Sequence, residues 1–211
     1  MKNLIIKTLV LGACQTNCYL AYQKQTKEGW IVDPADRAEM IIEQCETIGM
    51  KPKAILLTHG HFDHMTAARK VKEHFDIPIY AGEKERKLLG DATMNLSGVW
   101  ASAVTLEADI WITEKDTLEL AGYSVKVMET PGHTPGGVCY YIPEEEILFS
   151  GDTLFCESLG RTDFPGSSTA DILHSIREKL FKLPDETVVY AGHMNSTTIG
   201  HEKINNPVSR I

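Results

Sequence analysis

The segment that most restricts what this chain can become is Thr58-His59-Gly60-His61-Phe62-Asp63-His64. Three histidines and an aspartate crowd into positions 59–64, directly after an apolar run at 54–57 that reads as a short buried strand. Such a cluster is poor core material, because every one of these side chains brings polar atoms that need partners once buried. It is good material for a metal site, since imidazole and carboxylate suit zinc and iron. On an extended turn His59 and His61 point one way, while Asp63 and His64 can face a neighbouring site. One loop can then serve two metals.

Three further candidate ligands share that setting. His133 follows an expected strand at 123–129 through Thr130-Pro131-Gly132. Asp152 follows one at 147–150 through Gly151, and His193 follows one at 188–190 through Ala191-Gly192. Each lies just past the C-terminal end of a strand, beside a glycine that lets the backbone turn sharply. Strand ends at one sheet edge converge, so four distant segments can build one site. A lone histidine is more often a satisfied surface or core residue, and His74, His174 and His201 read that way.

The periodicity predicts strands at 4–11, 18–22 and 30–32, then a helix from about residue 36. Asp36 and Glu39 read as its capping box, Ile41, Cys45 and Ile48 as its stripe, and Gly49 as its end. A strand at 54–57 leads to a helix over 64–75 with Ala68, Val71 and Phe75 on one face, then a strand at 79–81 and a short helix over 83–89. Strands follow at 117–120, 123–129, 137–142 and 147–150. A helix over 169–181, capped by Ser168 with Ile172, Ile176 and Leu180 as its stripe, precedes a last strand at 188–190. Two half-sequences, each with strands first and helices after, predict two sheets face to face with helices outside. This is an α+β arrangement, expected as one domain over residues 1–211.

Composition removes several classes. Hydrophobic residues at 43% and charged residues at 24% are those of an ordinary soluble globular protein. A net charge of −8 argues against a nucleic-acid partner, which needs a basic stripe. The most basic stretch, Lys84-Glu85-Arg86-Lys87, is diluted by Glu83 and Glu85 and reads as the solvated face of a helix. No run approaches the ~20 apolar residues of a membrane span. Met1-Lys2 and the apolar run ending at Cys14 superficially resemble a lipoprotein signal, but Lys7 interrupts the run and its alternation is that of a strand. Cys14, Cys18, Cys45, Cys139 and Cys156 are odd in number and form no CxxC pair, so they read mostly as small buried thiols in a reduced, cytoplasmic compartment. The sequence leaves the oligomeric state open.

The pattern His59-x-His61-x-Asp63-His64, with His133, Asp152 and His193, resembles the full ligand set of the metallo-β-lactamase superfamily, and the likeness runs from the first strand to Asn206-Pro207. It implies a four-layer αββα sandwich with the site at one edge. It also implies two divalent metal ions per chain, zinc first, with iron or manganese as alternatives. By that resemblance His59, His61 and His133 hold one metal, Asp63, His64 and His193 the other, and Asp152 bridges them. Asp63 and Asp152 would then also orient a hydroxide bridging the metals, the nucleophile of a hydrolase.

The leaving group narrows the reaction. A thiolate, from a thiol of pKa ~8.5, departs unaided, whereas an amine must be protonated. No extra acid is evident near the ligands, so a thioester is the easier substrate. Gly151-Asp152-Thr153-Leu154-Phe155, Gly160-Arg161-Thr162-Asp163-Phe164-Pro165-Gly166 and the ending Ser196-Thr197-Thr198-Ile199-Gly200-His201-Glu202 are similar to the compact bacterial glyoxalase II-like (hydroxyacylglutathione hydrolase-like) proteins. That likeness implies a small-molecule acylthiol substrate such as S-lactoylglutathione. The better-known lactamase classes carry a cysteine where Asp152 stands, which argues against antibiotic hydrolysis. Full-length glyoxalase II enzymes add a C-terminal helical extension that contacts glutathione, and this sequence ends soon after Asn206-Pro207. The thiol is therefore glutathione, another small thiol, or something else.

Persulfide dioxygenases share a similar Gly-Arg-Thr-Asp-Phe stretch, and there His59, His133 and Asp152 would hold a single iron. The Ser196–Gly200 ending favours the hydrolase over that alternative, and an acyl-lactone hydrolase is a third reading. A metal-binding module without turnover is the bland one, which a complete ligand set disfavours. Arg161 either holds a substrate carboxylate or pairs with Asp163. Asp33 either orients a ligand imidazole or forms the turn before Pro34. Residues 91–103, with Met94, Leu96, Val99 and Trp100, read as an apolar flap or, in preference, a short core helix. His201 and Cys156 are expected outside the ligand set.

Overall fold

The computed structural model describes residues 3–210, so Met1 and Lys2 of the signal-like start lie outside it. Six strands form the first sheet in chain order: β1 (Leu4–Leu11), β2 (Thr16–Gln23), β3 (Glu28–Val32), β4 (Lys51–Leu56), β5 (Ile79–Gly82) and β6 (Ile110–Ile112). β1–β3 pair antiparallel, while β3–β6 run parallel. The second half supplies β7 (Thr117–Leu120), β8 (Tyr123–Glu129), β9 (Val138–Ile142) and β10 (Ile147–Gly151), then the hairpin β11 (Leu154–Phe155) with β12 (Ser158–Leu159), and finally β13 (Val188–Ala191) and β14 (Thr197–Thr198). The second sheet has the order β14-β13-β10-β9-β8-β7. The strand expected to be last is thus followed by β14, two threonines too short to show a period, which pair with Val188 and Val189.

Alternation along the strands builds the layers. In β2, Tyr19 and Ala21 face the second sheet, where Val125, Val127, Tyr140 and Phe149 meet them, while Cys18 and Leu20 face the opposite way. In β9, Val138, Tyr140 and Ile142 join that central core, and Cys139 and Tyr141 turn to the far side. Helices α1 (Ala38–Ile48), with Ile41 and Cys45, and α3 (Ala68–Phe75), with Ala68 and Val71, cover the first sheet's outer face. Ile172, Ile176, Leu180 and Ile199 cover that of the second. Three apolar layers separate four layers of structure, the αββα sandwich. Each fully buried Leu, Ile or Phe contributes ~1.5–3 kcal/mol of transfer free energy. Among the described residues no helix is long and apolar enough to cross a membrane.

Some local expectations change. Asp36 does not cap α1: Arg37, at φ 51°, occupies the cap position without a side-chain bond, and Asp36 Oδ1 accepts from the neighbouring Arg37 N–H. The helix expected over 64–75 is two helices: α2 (Phe62–Met65) opens after the extended His61, two residues earlier than periodicity shows, and a turn at Thr66-Ala67 separates it from α3. The segment over 83–89 begins with the tight turn Glu83–Glu85 and continues as α4 (Arg86–Leu89). The reading of 84–87 as a solvated face holds for Lys84, Arg86 and Lys87 and fails for Glu85, which is fully buried. Within residues 91–103 a four-residue helix, α5 (Ser97–Trp100), buries Leu96 and Ser97 but exposes Val99 and Trp100, so it is not a core helix. Ser168 caps α6 (Thr169–His174), accepting from Asp171 N–H at 3.2 Å. Beyond it the chain widens over Ser175–Lys179 and tightens over Leu180–Lys182, with the Ser175 hydroxyl donating to the Pro131 carbonyl. Cys18, Cys45 and Cys139 are buried, Cys14 is exposed, Cys156 is half-buried, and all are free thiols.

Candidate metal centre

Five strand ends deliver the site. β3 leads into Asp33, β4 through Leu57-Thr58 into His59, β8 through residues 130–132 into His133, β10 directly into Asp152, and β13 through Gly192 into His193. All seven expected ligands come together there. Asp63 and His64 sit on α2 and not on an extended turn, so the ~100° step between helical neighbours sets their aim.

Hydrogen bonds fix which imidazole nitrogens remain free. His133 Nδ1 donates to the Arg161 carbonyl at 2.8 Å, leaving the Nε2 lone pair toward the site. The Thr58 hydroxyl donates to Asp33 Oδ2 at 2.7 Å and so must accept from His59 Nδ1–H at 3.1 Å, which frees His59 Nε2. His64 Nδ1 donates to Asp33 Oδ2 at 2.9 Å, freeing His64 Nε2. His61 Nδ1 lies 3.0 Å from His133 Nε2. These protons are assigned from the bonding network.

One nitrogen from each of His59, His61 and His133 lies within 4.8 Å of the others, and ligand atoms of Asp63, His64 and His193 form a second such group. Asp33, His59 and His64 satisfy the same distance. Asp33, however, already accepts from Thr58 N–H at 2.8 Å, the Thr58 hydroxyl and His64, so it orients its neighbours. It does so from a left-handed backbone at φ 48°, before Pro34, so of its two expected roles the orienting one is what its bonds show. Asp152 stands between the groups: Oδ1 is 3.4 Å from His64 Nε2, and Oδ2 is 3.5 Å from His133 Nε2 and 3.4 Å from His193 Nε2. His193 Nε2 is also 3.4 Å from Asp63 Oδ2.

Buried polar atoms without a partner are rare, yet His59 Nε2, His61 Nε2, His64 Nε2 and Asp152 Oδ1 all lack one. The donor set fits two divalent cations. Protonation tells the same story. Burial holds His59 well below the ordinary histidine range and His61 down to about 3, with the neighbouring imidazoles adding to both. Burial opposes charge on His64 and His193 too, but Asp152 and Asp63 outweigh it and push them up to about 9 and about 11. Desolvation raises the carboxylates less than His64 and His193 lower them, so Asp152 sits at about 2 and Asp63 below the usual range. His59 and His61 offer neutral imidazoles, and His64 and His193 hold protons in places a cation would take.

Glycine serves here in two different ways. Gly151 has φ 49°, and a Cβ there would lie 2.4 Å from the Thr58 hydroxyl. Gly192 lies in a bend, as expected, and it also permits close approach, since a Cβ would fall 2.2 Å from Asp152 Oδ1 and 2.7 Å from His64 Cε1.

Sequence reasoning missed three supports. Thr16 donates to Asp63 Oδ2 at 2.8 Å, and Asn17 Nδ2 donates to the Ala191 and Met194 carbonyls at 3.0 and 2.9 Å, tethering the His193 loop. Glu85 accepts Gly60 N–H at 2.7 Å and Gly136 N–H at 2.8 Å, tying the His59–His61 turn to the His133 loop. Polar residues opening an apolar strand were the available signal for Thr16 and Asn17. Glu85 had none.

Arg161 pairs in a fork with Asp163 at 2.9 and 2.7 Å and lies over Phe164, 4.4 Å from its ring centre. Its carbonyl, by contrast, holds His133 in place. Cys156 and His201 gather with Glu202 apart from the expected set. The Glu202 oxygens there are occupied by Thr197, Asn206 and the Glu157 N–H. The centre opens into a cavity of about 280 Å³ lined by Cys14, Phe62, Leu96, Trp100, Phe155 and Phe164 beside the ligands.

Comparisons with known proteins agree with this geometry. The family model described as "Metallo-beta-lactamase superfamily" matches residues 11–193. The chain is 35% identical over 205 residues to "Hydroxyacylglutathione hydrolase GloC" of Haemophilus influenzae, covering 96% of both. It is similar to the crystal structure of the B3 metallo-beta-lactamase BLEG-1, with 42% identity, TM-score 0.92, and 96% and 98% of the two chains covered. It is also similar to TTHA1623, crystallised in a di-iron-bound form, with 35% identity, TM-score 0.83 and 95% and 98% covered.

Proposed function

The chain belongs to the metallo-beta-lactamase superfamily, and from that premise we propose that it is a thioesterase acting on S-lactoylglutathione or a related acylthiol. The chain is a metal-dependent hydrolase of that superfamily. The observation that carries it is the place of Asp152, one carboxylate whose two oxygens face two separate groups of ligand atoms. Two divalent ions held there supply a Lewis acid for an acyl carbonyl and lower the pKa of water to ~7. The residues supply the rest. Asp152 and Asp63 fix the spacing of the two groups, Asp33 and the Arg161 carbonyl lock His64 and His133, and the aromatic rim sheds water around the acyl group.

The thioester reading is supported by what lines the cavity. Its imidazoles and carboxylates are the ligand set itself, and Arg161 is tied to Asp163. Among the described lining residues, that leaves the Cys14 thiol, a poor acid whose pKa burial raises, and the Trp100 indole, with no lysine, tyrosine or glutamate to protonate an amine. A thiolate needs no such help. A second reading, β-lactam hydrolysis, draws on the B3 metallo-beta-lactamase likeness. The two separate in one assay of the metal-loaded protein, in which thiol release from S-lactoylglutathione is compared with ring opening of benzylpenicillin. Positioned general acids contribute ~10²–10⁴-fold, so the thioester should lead in kcat/KM by at least a hundredfold. Equal or faster lactam opening would replace this proposal with the second reading.

A further inference from the structure

Beside the metal centre lies a second cavity, of about 350 Å³, lined by Leu11, Asp36, Phe62, Asp63, Trp100 and Ser102 among others. It shares Cys14, Phe62, Asp63 and Trp100 with the cavity over the ligands, so a substrate whose carbonyl sits at the metals can extend into it. That volume lies in the range of small-molecule pockets, ~300–1,000 Å³, and is more than a two- or three-carbon acyl group fills. The larger, thiol-bearing arm of an acylthiol is its natural occupant.

The lining is chemically one-sided. Among the described residues it contains no lysine, arginine or histidine, and its charged groups are the carboxylates of Asp36 and Asp63. Asp63 is committed to Thr16 and the ligand set. Asp36 is not committed: it caps no helix, and among the described residues its side chain accepts from the adjacent Arg37 N–H at Oδ1. Its Oδ2 lies against Gly12, where an added Cβ would stand 3.2 Å away, so the carboxylate is seated on the cavity wall. Phe62 and Trp100 complete the wall, the latter 58% exposed with its ring edge-on to Phe164. A carboxylate with aromatic faces and no competing cation is the chemistry that recognises ammonium groups.

We infer that the thiol arm of the substrate carries a positive charge, received by Asp36 and the rings of Phe62 and Trp100, and that arms ending in carboxylate are disfavoured. This rests on the thioesterase reading and narrows it to the related acylthiols, because the glutathione arm, with two carboxylates and one ammonium, is net anionic and would rank below a cationic arm. Three acetyl thioesters test it on the metal-loaded enzyme: acetylthiocholine, S-acetyl-N-acetylcysteamine and S-acetyl-3-mercaptopropionate, with cationic, neutral and anionic arms. The expected order of kcat/KM is cationic, neutral, anionic, with about tenfold between the extremes for one nearby charge at partly screened distance. Asp36→Asn, which keeps the side chain's shape, should bring that ratio close to one. Equal rates on all three esters, or a preference that Asp36→Asn leaves intact, would overturn this inference while leaving the thioesterase standing. Hydrolysis of none of the three would instead overturn the thioesterase reading and the inference with it.

Discussion

Asp152→Ala is expected to lower kcat/KM on the order of a thousandfold or more and to lower bound metal in the same preparation. The carboxylate faces His64 with one oxygen and His133 and His193 with the other, so its loss leaves three imidazoles without the group they share. No neighbour can take its place. Asp63 reaches His64 and His193 at 3.6 and 3.4 Å but makes no ion pair with His133, and Asp33 is saturated by Thr58 and His64. His174→Ala, on the exposed side of α6, is the control and should leave turnover as it is. Metal analysis and steady-state kinetics on both variants check this. An Asp152→Ala protein with normal turnover would remove the dinuclear mechanism.

Glu85→Ala should produce the largest loss of stability among the single changes considered. Its two oxygens satisfy Gly60 N–H and Gly136 N–H in a fully buried setting, and burial pushes its own pKa up. Removing it strands two buried donors at ~1–3 kcal/mol each. For a chain of this size each kcal/mol moves Tm by ~2–4 °C, so a fall of roughly 5–20 °C is expected in thermal denaturation. Glu85→Gln should fall between, because an amide offers one acceptor oxygen and turns a donor toward the other N–H. Since Gly60 separates His59 from His61, metal affinity should weaken alongside. A Tm within a degree or two of the parent would show that the two turns hold their places without this tie.

How much of this was legible in the residues follows from the range of the forces involved. The meeting place of the seven candidate ligands was legible because metal-binding side chains are conspicuous immediately after strands, and the structure brings all seven together. The sandwich was legible in the order of elements, strands first and helices after in each half, whereas the face each residue of β2 and β9 takes was not, because both of their sides are buried. What escaped depends on partners far along the chain. Glu85 looks like any solvated glutamate until the Gly60 and Gly136 amides are placed against it. Asp36 fits a capping box in sequence, but the backbone at Arg37 turns left-handed and releases it. β14 is two residues long, below the length at which alternation shows at all. Gly192 signals a turn in sequence, and the chain bends there, but the space it leaves for Asp152 and His64 depends on residues far along the chain.

The central claim is that two metal ions, held by two groups of ligands around Asp152, carry out hydrolysis. Titrating chelator-stripped protein with Zn²⁺ while following thiol release tests it most directly. Activity that is absent without metal and climbs to a plateau at about two equivalents per chain is the expected result. Thiol release that survives chelation, or full activity from a single equivalent, would contradict the account, as would a protein that binds one iron and consumes oxygen in place of water.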